Sequence, residues 1–270
     1  MAITGSGIEA DPYVVQTYAE LVSKATEQGV FINFGNDINI TNEYPDGDMP
    51  TLTINSGTII NGDGKKLYNP YKITSGYVIS NGHYSSNANG KIANLSIKNV
   101  YIDGDCTAFA YNLWAGHILF ENCDIGGIFY KPFLKNGAAS IIKKCSINLN
   151  NKSSSIFDDN GVTIEKSYIK GNFNGTSVFN NTEIVGSYIE VNAPNLSGDF
   201  ISGETSIINN CVLDITSTGI YNVTSSSGSV SIFKSSSSPN ATPDGTYVKG
   251  VSDANWLDVN YLSSIGFNAG

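Results

Sequence analysis

Two short segments carry the residues of this chain that are best suited to catalysis or metal binding. HILFENCDI, residues 117–125, places a histidine, a glutamate, a cysteine and an aspartate within nine positions. FDDNG, residues 157–161, contains the adjacent carboxylates Asp158 and Asp159. Imidazole, thiolate and carboxylate groups bind metal ions or act as general acids and bases. They form a site only if the elements that carry them make them converge.

The first segment is one copy of an internal repeat. Six eight-residue stretches share its pattern, and two weaker copies precede them, with 19 to 24 residues between successive copies. The six are LSIKNVYI at 95–102, ILFENCDI at 118–125, SIIKKCSI at 140–147, VTIEKSYI at 162–169, TEIVGSYI at 182–189 and SIINNCVL at 206–213. The weaker copies are LTINSGTI at 52–59 and YKITSGYV at 71–78. Such a period is typical of a solenoid of stacked repeats.

The spacing of apolar residues predicts a sharp corner in every repeat. The third and last positions are apolar, as in Ile142 and Ile147, and they lie five residues apart. A straight strand would point them to opposite faces, so the chain must turn between them. The slot before the sixth position suits a left-handed turn, because Asn and Gly adopt that conformation at low cost. It holds Asn99, Asn122, Lys144, Lys166, Gly186 and Asn210.

A second apolar pair recurs in register and predicts a third short strand per repeat. Its copies are Phe133-Leu134, Ile156-Phe157, Val178-Phe179, Phe200-Ile201 and Ile220-Tyr221. We therefore predict an all-β fold, a right-handed parallel β-helix solenoid of about nine rungs stacked roughly 4.8 Å apart. The predicted division is an N-terminal arm and capping helix at 1–29, the coil at 30–235, and a Ser-rich linker with a short helical segment at 236–270.

The two ends of the predicted coil carry helical segments. Thr17 and Glu20 form a capping-box pattern for a helix over 17–28, and Gly29 follows as its stop signal. The C-terminal segment has two open interpretations, a second cap on the coil or an element that docks onto a neighbouring subunit. Its candidate docking residues are Trp256, Tyr261 and Phe267.

The repeat gives HILFENCDI a structural interpretation. In the repeat register Phe120, Cys123 and Ile125 face the core, whereas Glu121 and Asp124 point outward. Because these side chains do not converge, we predict no metal site, no cofactor and no catalytic residue here. The even cysteine count allows disulfides. We expect free thiols, because stacked cysteines with parallel Cβ directions hold their Cβ atoms too far apart.

Composition argues against several classes of partner. The 270 residues carry a formal charge of −9, and all 15 basic residues are lysine. An acidic chain without a basic cluster is poorly suited to nucleic acid. No apolar run approaches the roughly 20 residues that a membrane span requires, and the N-terminal residues do not read as a secretory signal peptide.

The sequence resembles right-handed parallel β-helix proteins of the pectate-lyase-like superfamily. GSGIEADPYVVQTYAELVSKA followed by INFGNDI resembles the N-terminal part of phage- and bacterial-surface β-helix proteins. VSDANWLDVNYLSSIGF resembles a C-terminal segment of similar chains from low-GC bacteria and their phages. Lyases of this superfamily typically use an Arg base, which this chain lacks, and polygalacturonase-like members use a DD pair with a GHG motif. AGHI at 115–118 lacks the second glycine, so no catalytic position is carried over.

The resemblance favours a non-enzymatic bacteriophage virion structural protein. It would serve as a tail or baseplate accessory, a receptor-binding β-helix or a capsid-decorating β-helix, with glycan binding as an additional role. The alternative is a tailspike-like polysaccharide lyase or hydrolase that acts on host surface glycan. We expect synthesis in the bacterial host cytoplasm and localisation in the virion, with other virion proteins as partners.

Two aromatic-rich loops are the candidate contact surface. CTAFAYNLWAG and GGIFYKPFLKNG lie in successive rungs, and their aromatic residues either join the core or form a surface patch. A surface patch would stack on a host glycan or contact another subunit of a homo-oligomer, for which a trimer is favoured. The candidate residues are Phe109, Tyr111, Trp114, Phe129 and Tyr130.

Overall fold

The structure is a computed structural model of the chain. It describes residues 3–72, 76–81, 89–102, 106–111, 117–138, 140–151, 156–175, 177–202, 207–219, 221–223, 225, 227–234, 241–243, 245–252, 255–256 and 258–267. Within these ranges the side chains of residues 71–72, 106–107, 136–138, 158–160, 202, 259 and 261 are not described. No helix in the described ranges is long and apolar enough to cross a bilayer.

The described strands stack in long parallel sheets. The first sheet has nine strands: β1 Tyr13–Val15, β2 Phe31–Phe34, β5 Ile59–Asn61, β9 Asn89–Ala93, β12 His117–Glu121, β15 Ile141–Lys143, β18 Val162–Glu165, β21 Thr182–Val185 and β25 Ile207–Asn209. The second sheet has eleven: β3 Ile38–Asn39, β6 Lys66–Tyr68, β7 Tyr71–Lys72, β10 Ser96–Ile102, β13 Asp124–Phe129, β16 Ser146–Asn151, β19 Tyr168–Phe173, β22 Tyr188–Asn192, β26 Val212–Thr216, β28 Ser231–Lys234 and β30 Val248–Val251.

The third side of the coil is divided into shorter sheets. One has five strands, β4 Leu52–Ile54, β8 Gly76–Asn81, β11 Cys106–Tyr111, β14 Leu134–Ala138 and β17 Phe157–Asn160. The others are β20 Phe179–Asn180 with β24 Ile201–Ser202, and β23 Gly198–Asp199 with β27 Tyr221–Val223 and β29 Ala241–Pro243. Helix α1 spans Tyr18–Ala25, a 3-10 turn spans Ile40–Asn42, and helix α2 spans Val259–Ser264. The predicted parallel β-helix is thereby confirmed.

The predicted inward stack and corner are both present. Ile142, Ile164 and Ile184 pair in register on β15, β18 and β21, and all three are fully buried. The corner slot is left-handed in the five copies between residues 118 and 213, with φ between 48° and 55°. These copies place Asn122, Lys144, Lys166, Gly186 and Asn210 in the slot. The turn between the first and second sheets is therefore set by one residue per rung.

The earlier copies of the repeat were aligned wrongly. Ile97 pairs with Ile125 rather than with Phe120, so the stretch equivalent to 118–125 is GKIANLSI at 90–97. Asn94 is the left-handed residue of that rung, and Asn99 is a second one beside a register shift in β10. The weak copy at 52–59 contains β4, which belongs to the third side. Two left-handed asparagines in one rung made the alignment ambiguous.

Small polar side chains join neighbouring rungs just after the corner. The Cys123 backbone N–H donates to Cys145 Sγ at 3.4 Å, and the Cys145 N–H donates to Ser167 Oγ at 3.1 Å. The Ser167 N–H continues the series to Ser187 Oγ at 3.1 Å. Cys123, Cys145 and Cys211 are buried free thiols, as predicted, and they are the three cysteines whose side chains the structure describes. The slot needs a small acceptor, so Cys and Ser are interchangeable there.

Helix α1 covers the N-terminal end of the coil. Thr17 accepts the Glu20 N–H at 3.2 Å, while the Glu20 carboxylate accepts the Gln16 N–H at 2.7 Å. Glu43 adds a second cap by accepting the Tyr18 and Ala19 N–H groups at 2.6 and 2.9 Å. These carboxylates satisfy the free N–H groups of the first turn and complement the helix dipole.

The coil extends further toward the C-terminus than the predicted boundary at 235. β29 and β30 lie within the segment predicted to be a linker, and β30 pairs with β28. Leu262 and Phe267 are buried against Ile232 and Val251, and Trp256 packs on the same cluster half-buried. Phe267 thus packs on its own chain, which favours the cap among the two interpretations of the C-terminal segment, while its docking role stays a prediction. Tyr261 lies in α2, and its side chain is outside the description.

Candidate ligand-binding face of the second sheet

The predicted aromatic surface is divided between core and solvent. Phe109 and Phe129 are fully buried, with ring centroids 5.8 Å apart, so neither can contact a glycan or a subunit. Phe109 lies between the buried residues Ala108 and Ala110 of β11, and Phe129 follows the exposed Ile128 at the end of β13, so it points to the opposite face. Tyr111 is half-buried and stacks on Tyr77 at 4.5 Å. Trp114 lies outside the described residues.

Tyr130 is the one predicted candidate in the described chain that is well exposed, and it has neighbours that were not predicted. Tyr130, Tyr101 and Ile128 are 43%, 44% and 37% exposed. The two tyrosine rings meet edge to face at 6.0 Å, and Tyr101 pairs with Ile128 across β10 and β13. We call these three residues the aromatic patch. We treat this exposed apolar cluster as a candidate contact surface.

HILFENCDI does not form a site. Phe120, Cys123 and Ile125 are buried, as predicted, while Glu121 and Asp124 form ion pairs with lysines of the preceding rung at 2.5 Å. Burial lowers the pKa of His117, which keeps its imidazole neutral. The described residues contain no group of three or more His, Cys, Asp or Glu placed to hold a metal ion.

The DD pair sits in a strand rather than in the predicted turn. Residues 157–160 form β17, which pairs with β14. The side chains of Asp158 and Asp159 are outside the description, so their predicted solvent exposure stays a prediction.

The outer face of the second sheet carries two parallel rows of polar side chains. The charged row runs in register through Asn148, Lys170, Glu190 and Asp214 on β16, β19, β22 and β26. The amide row runs in the same way through Asn150, Asn172, Asn192 and Thr216. Each step is one strand spacing, about 4.8 Å. The rows therefore run along the axis of the coil, across the strands.

A shallow groove of about 280 Å³ lies between the two rows. Its floor is the inward row of the same strands, where Gly171 replaces the Leu149 and Val191 of the neighbouring rungs. The amide row continues through Ile128 into Tyr101, so the groove leads to the aromatic patch. The lining residues are Asn148, Lys170, Gly171, Asn172, Glu190, Val191, Asn192, Asp214 and Thr216.

The charges in the groove are paired with one another. Glu190 accepts from Lys170 Nζ at 2.7 Å and from the Tyr168 hydroxyl. The hydrogen bond from Lys170, followed by the one from Tyr168, lowers the pKa of Glu190. Asp214 pairs with Lys234 at 3.5 Å. Glu190 is thus an ionised acceptor at neutral pH, and the charged row has little net charge to offer a ligand.

The amide row keeps hydrogen-bonding capacity at the surface. Asn192 Nδ2 donates to Asn172 Oδ1 at 3.1 Å, and both side chains are exposed. A side-chain amide has two donor hydrogens and an acceptor oxygen with two lone pairs, so this bond leaves donors and acceptors facing solvent. Beside the rows, Tyr168 and Tyr188 stack at 5.3 Å. Chemically, this face can bind an extended polar ligand and contact its apolar parts.

A second groove, of about 410 Å³, lies at the corner between the first two sheets. Its asparagines form a ladder in which Asn122 donates to Asn94 at 2.7 Å and Asn94 donates to Asn61 at 2.9 Å. Asp124, which also lines it, is ion-paired with Lys98. These groups serve the turn itself, and we assign no ligand to this groove.

Comparison of the chain with protein-family models, curated proteins and solved structures finds no match. The parallel β-helix therefore stands on the structure, whereas the phage-type resemblance remains a prediction. Sequence reasoning did not single out the groove or the exposed pair Tyr101 and Ile128. The signal that could have found them is the set of outward-facing residues on strands β10 to β26. These residues line up only when the pairing of successive rungs is known.

Proposed function

We propose that this protein is a non-enzymatic structural subunit of a bacteriophage particle that binds a host surface glycan. The observation that carries the proposal is the outer face of the second sheet, where a row of paired charges runs beside a row of exposed amide groups that leads into the aromatic patch. Sugars are bound by planar polar side chains together with exposed aromatic and aliphatic surface. The parallel β-helix holds these groups on rigid strands, which suits adhesion better than a loop-built site.

The virion assignment rests on the resemblance of the N- and C-terminal segments to phage β-helix proteins. Its partners are other virion proteins and further copies of the chain, with a trimer as the favoured assembly. A coil with helices packed at its two ends and one binding face on its side is compatible with a position in the tail, the baseplate or the capsid. The direct test is immunogold labelling of particles from a phage that carries this gene. Labelling at one structural position supports the proposal, and unlabelled particles contradict it.

A polysaccharide hydrolase is the second candidate, and one observation favours it. Glu190 and Asp214 are in register on neighbouring strands, and strand spacing is close to the carboxylate separation of retaining glycosidases, about 5 Å. Such enzymes need one carboxylic acid with a raised pKa as proton donor. The pKa of Glu190 is lowered instead. The ion pairs therefore favour binding over hydrolysis.

A depolymerisation assay separates the two candidates. The purified chain is incubated with host capsule, teichoic acid and pectate, and released oligosaccharides are measured by mass spectrometry. We expect no release. Release that disappears in Glu190→Gln or Asp214→Asn, but persists in the control Glu165→Gln on the first sheet, would restore the enzyme. Glu165 is a suitable control because it also forms an inter-rung ion pair, with Lys143 at 3.2 Å.

A further inference from the structure

We infer that the groove of the second sheet selects an uncharged, extended glycan that carries acetamido groups and lies along the coil axis. This inference rests on the proposed glycan-binding function and names the class of ligand. It depends on three properties of the same face, namely its paired charges, its free amide groups and its apolar end.

The first property excludes a charged polymer. The lysines at the groove are already bonded to carboxylates, Lys170 to Glu190 at 2.7 Å and Lys234 to Asp214 at 3.5 Å. An anionic glycan would have to break these pairs and approach a chain whose formal charge is −9. A cationic glycan would meet carboxylates that are already neutralised. The groove therefore offers no unpaired charge of either sign among the residues that line it.

The second property gives the ligand its functional group. Asn172 and Asn192 are exposed, and their single mutual hydrogen bond uses one of four donor hydrogens and one acceptor oxygen. An acetamido group has one N–H and one carbonyl that point in opposite directions, so it can donate to one side-chain amide of the row and accept from the next. A hydroxyl group makes a less directional contact because its hydrogen rotates. The repetition of the row at strand spacing calls for a repetitive ligand.

The third property accounts for the apolar parts of such a chain. The amide row ends in Ile128 and Tyr101, and Tyr130 lies beside them. An acetamido methyl group or the C–H face of a sugar ring is favourable on this surface, because its contact removes apolar area from water. The amide and apolar groups belong to one row, so a single extended chain can contact both.

The test compares hexasaccharides with one β-1,4 backbone and different substituents. Isothermal titration calorimetry is run with chitohexaose, which is N-acetylated, cellohexaose, which has only hydroxyls, and fully deacetylated chitohexaose, which is cationic. Hexagalacturonate is the anionic probe. We expect chitohexaose to bind at least about tenfold more tightly than cellohexaose, which corresponds to one or two hydrogen bonds. The affinity for chitohexaose should be the same at about 0.05 M and at about 0.5 M salt. Salt screens charges, and the charges of the groove are already paired with one another.

Variants locate the site. The double substitution Asn172→Ala with Asn192→Ala should weaken chitohexaose binding by about tenfold. Asn222→Ala is the control, because Asn222 is also exposed and bonded to a neighbouring rung, at Asp199, but lies on β27. Equal binding of cellohexaose, or unchanged binding in the double variant, contradicts the inference and leaves glycan adhesion intact. Tighter binding of hexagalacturonate than of chitohexaose also contradicts the inference and leaves glycan adhesion intact. Binding of none of the four contradicts both the inference and glycan adhesion, while particle labelling still tests the structural role.

Discussion

Substitution of Gly186 by alanine tests the left-handed corner with little interference from packing. Gly186 has φ 55°, and an added Cβ would contact only Lys166 Cγ at 3.8 Å, an ordinary van der Waals distance. The cost is therefore the conformation itself, about 1–2 kcal/mol for a residue with a Cβ. Alanine also restricts the unfolded chain, which returns about 0.4–1 kcal/mol. The net expectation is a loss of about 1 kcal/mol in the free energy of unfolding.

The assay is guanidinium unfolding followed by circular dichroism, with the midpoint converted at a constant slope. Gly186→Asn should lose less than alanine, because asparagine tolerates this conformation, and Lys166→Gly should gain up to about 1 kcal/mol. Gly171→Ala is the contrasting case. Its Cβ would lie 1.8 Å from the Leu149 carbonyl oxygen, so we expect failure to fold. Wild-type stability in Gly186→Ala, or a loss in Lys166→Gly, would refute the assignment of the corner.

Three further predictions concern the core, the thiols and the C-terminal cap. Ile164→Ala should cost about 3–4 kcal/mol in urea unfolding, because Ile164 is fully buried between in-register isoleucines, whereas Thr163→Ala on the outer face should stay within about 0.5 kcal/mol. Burial raises the pKa of Cys211 to about 11, so its contribution to stability is present below the unfolded pKa near 8.5 and falls as pH rises toward 11. Between pH 7 and pH 10 the free energy of unfolding should fall less in Cys211→Ser than in the wild-type chain. Rapid labelling of native Cys211 by iodoacetamide at pH 8 would contradict this burial. Phe267→Ala should release α2 to limited proteolysis before the coil is cut, and an unchanged cleavage order would argue against the cap.

The regular part of the coil was predictable because every rung there repeats the same physical constraints. Between residues 118 and 213 an apolar position must face inward, and a turn residue must adopt positive φ. Both constraints select residue types at fixed spacing. The earlier rungs were misaligned because Asn94 and Asn99 are both left-handed in one rung. The residues around Asn94 and those around Asn99 both fit the repeat pattern. Only the pairing of Ile97 with Ile125 shows that the alignment with Asn94 at the corner is the correct one.

The candidate site was less predictable because solvent-facing positions carry no packing constraint. The residue type at the outward-facing positions, such as those of Asn172, Glu190 and Tyr101, changes from rung to rung. The repeat pattern therefore does not single them out. The aromatic loops drew attention by composition, yet Phe109 and Phe129 serve the core. Burial of a phenylalanine follows from its direction on a strand, which depends on where β11 and β13 begin. Those boundaries cannot be read from a short aromatic cluster.

The bonds between neighbouring rungs have a consequence for how the chain is made. The hydrogen bond from Cys123 to Cys145 and that from Cys145 to Ser167 each join residues 22 positions apart. At translation rates of about 5–20 residues per second, each new rung emerges roughly one to four seconds after the one it must pair with. During that interval the last completed strand presents an open edge. Slow codons within a rung would lengthen this exposure, so the timing of synthesis bears on how long each new strand edge stays open to other chains.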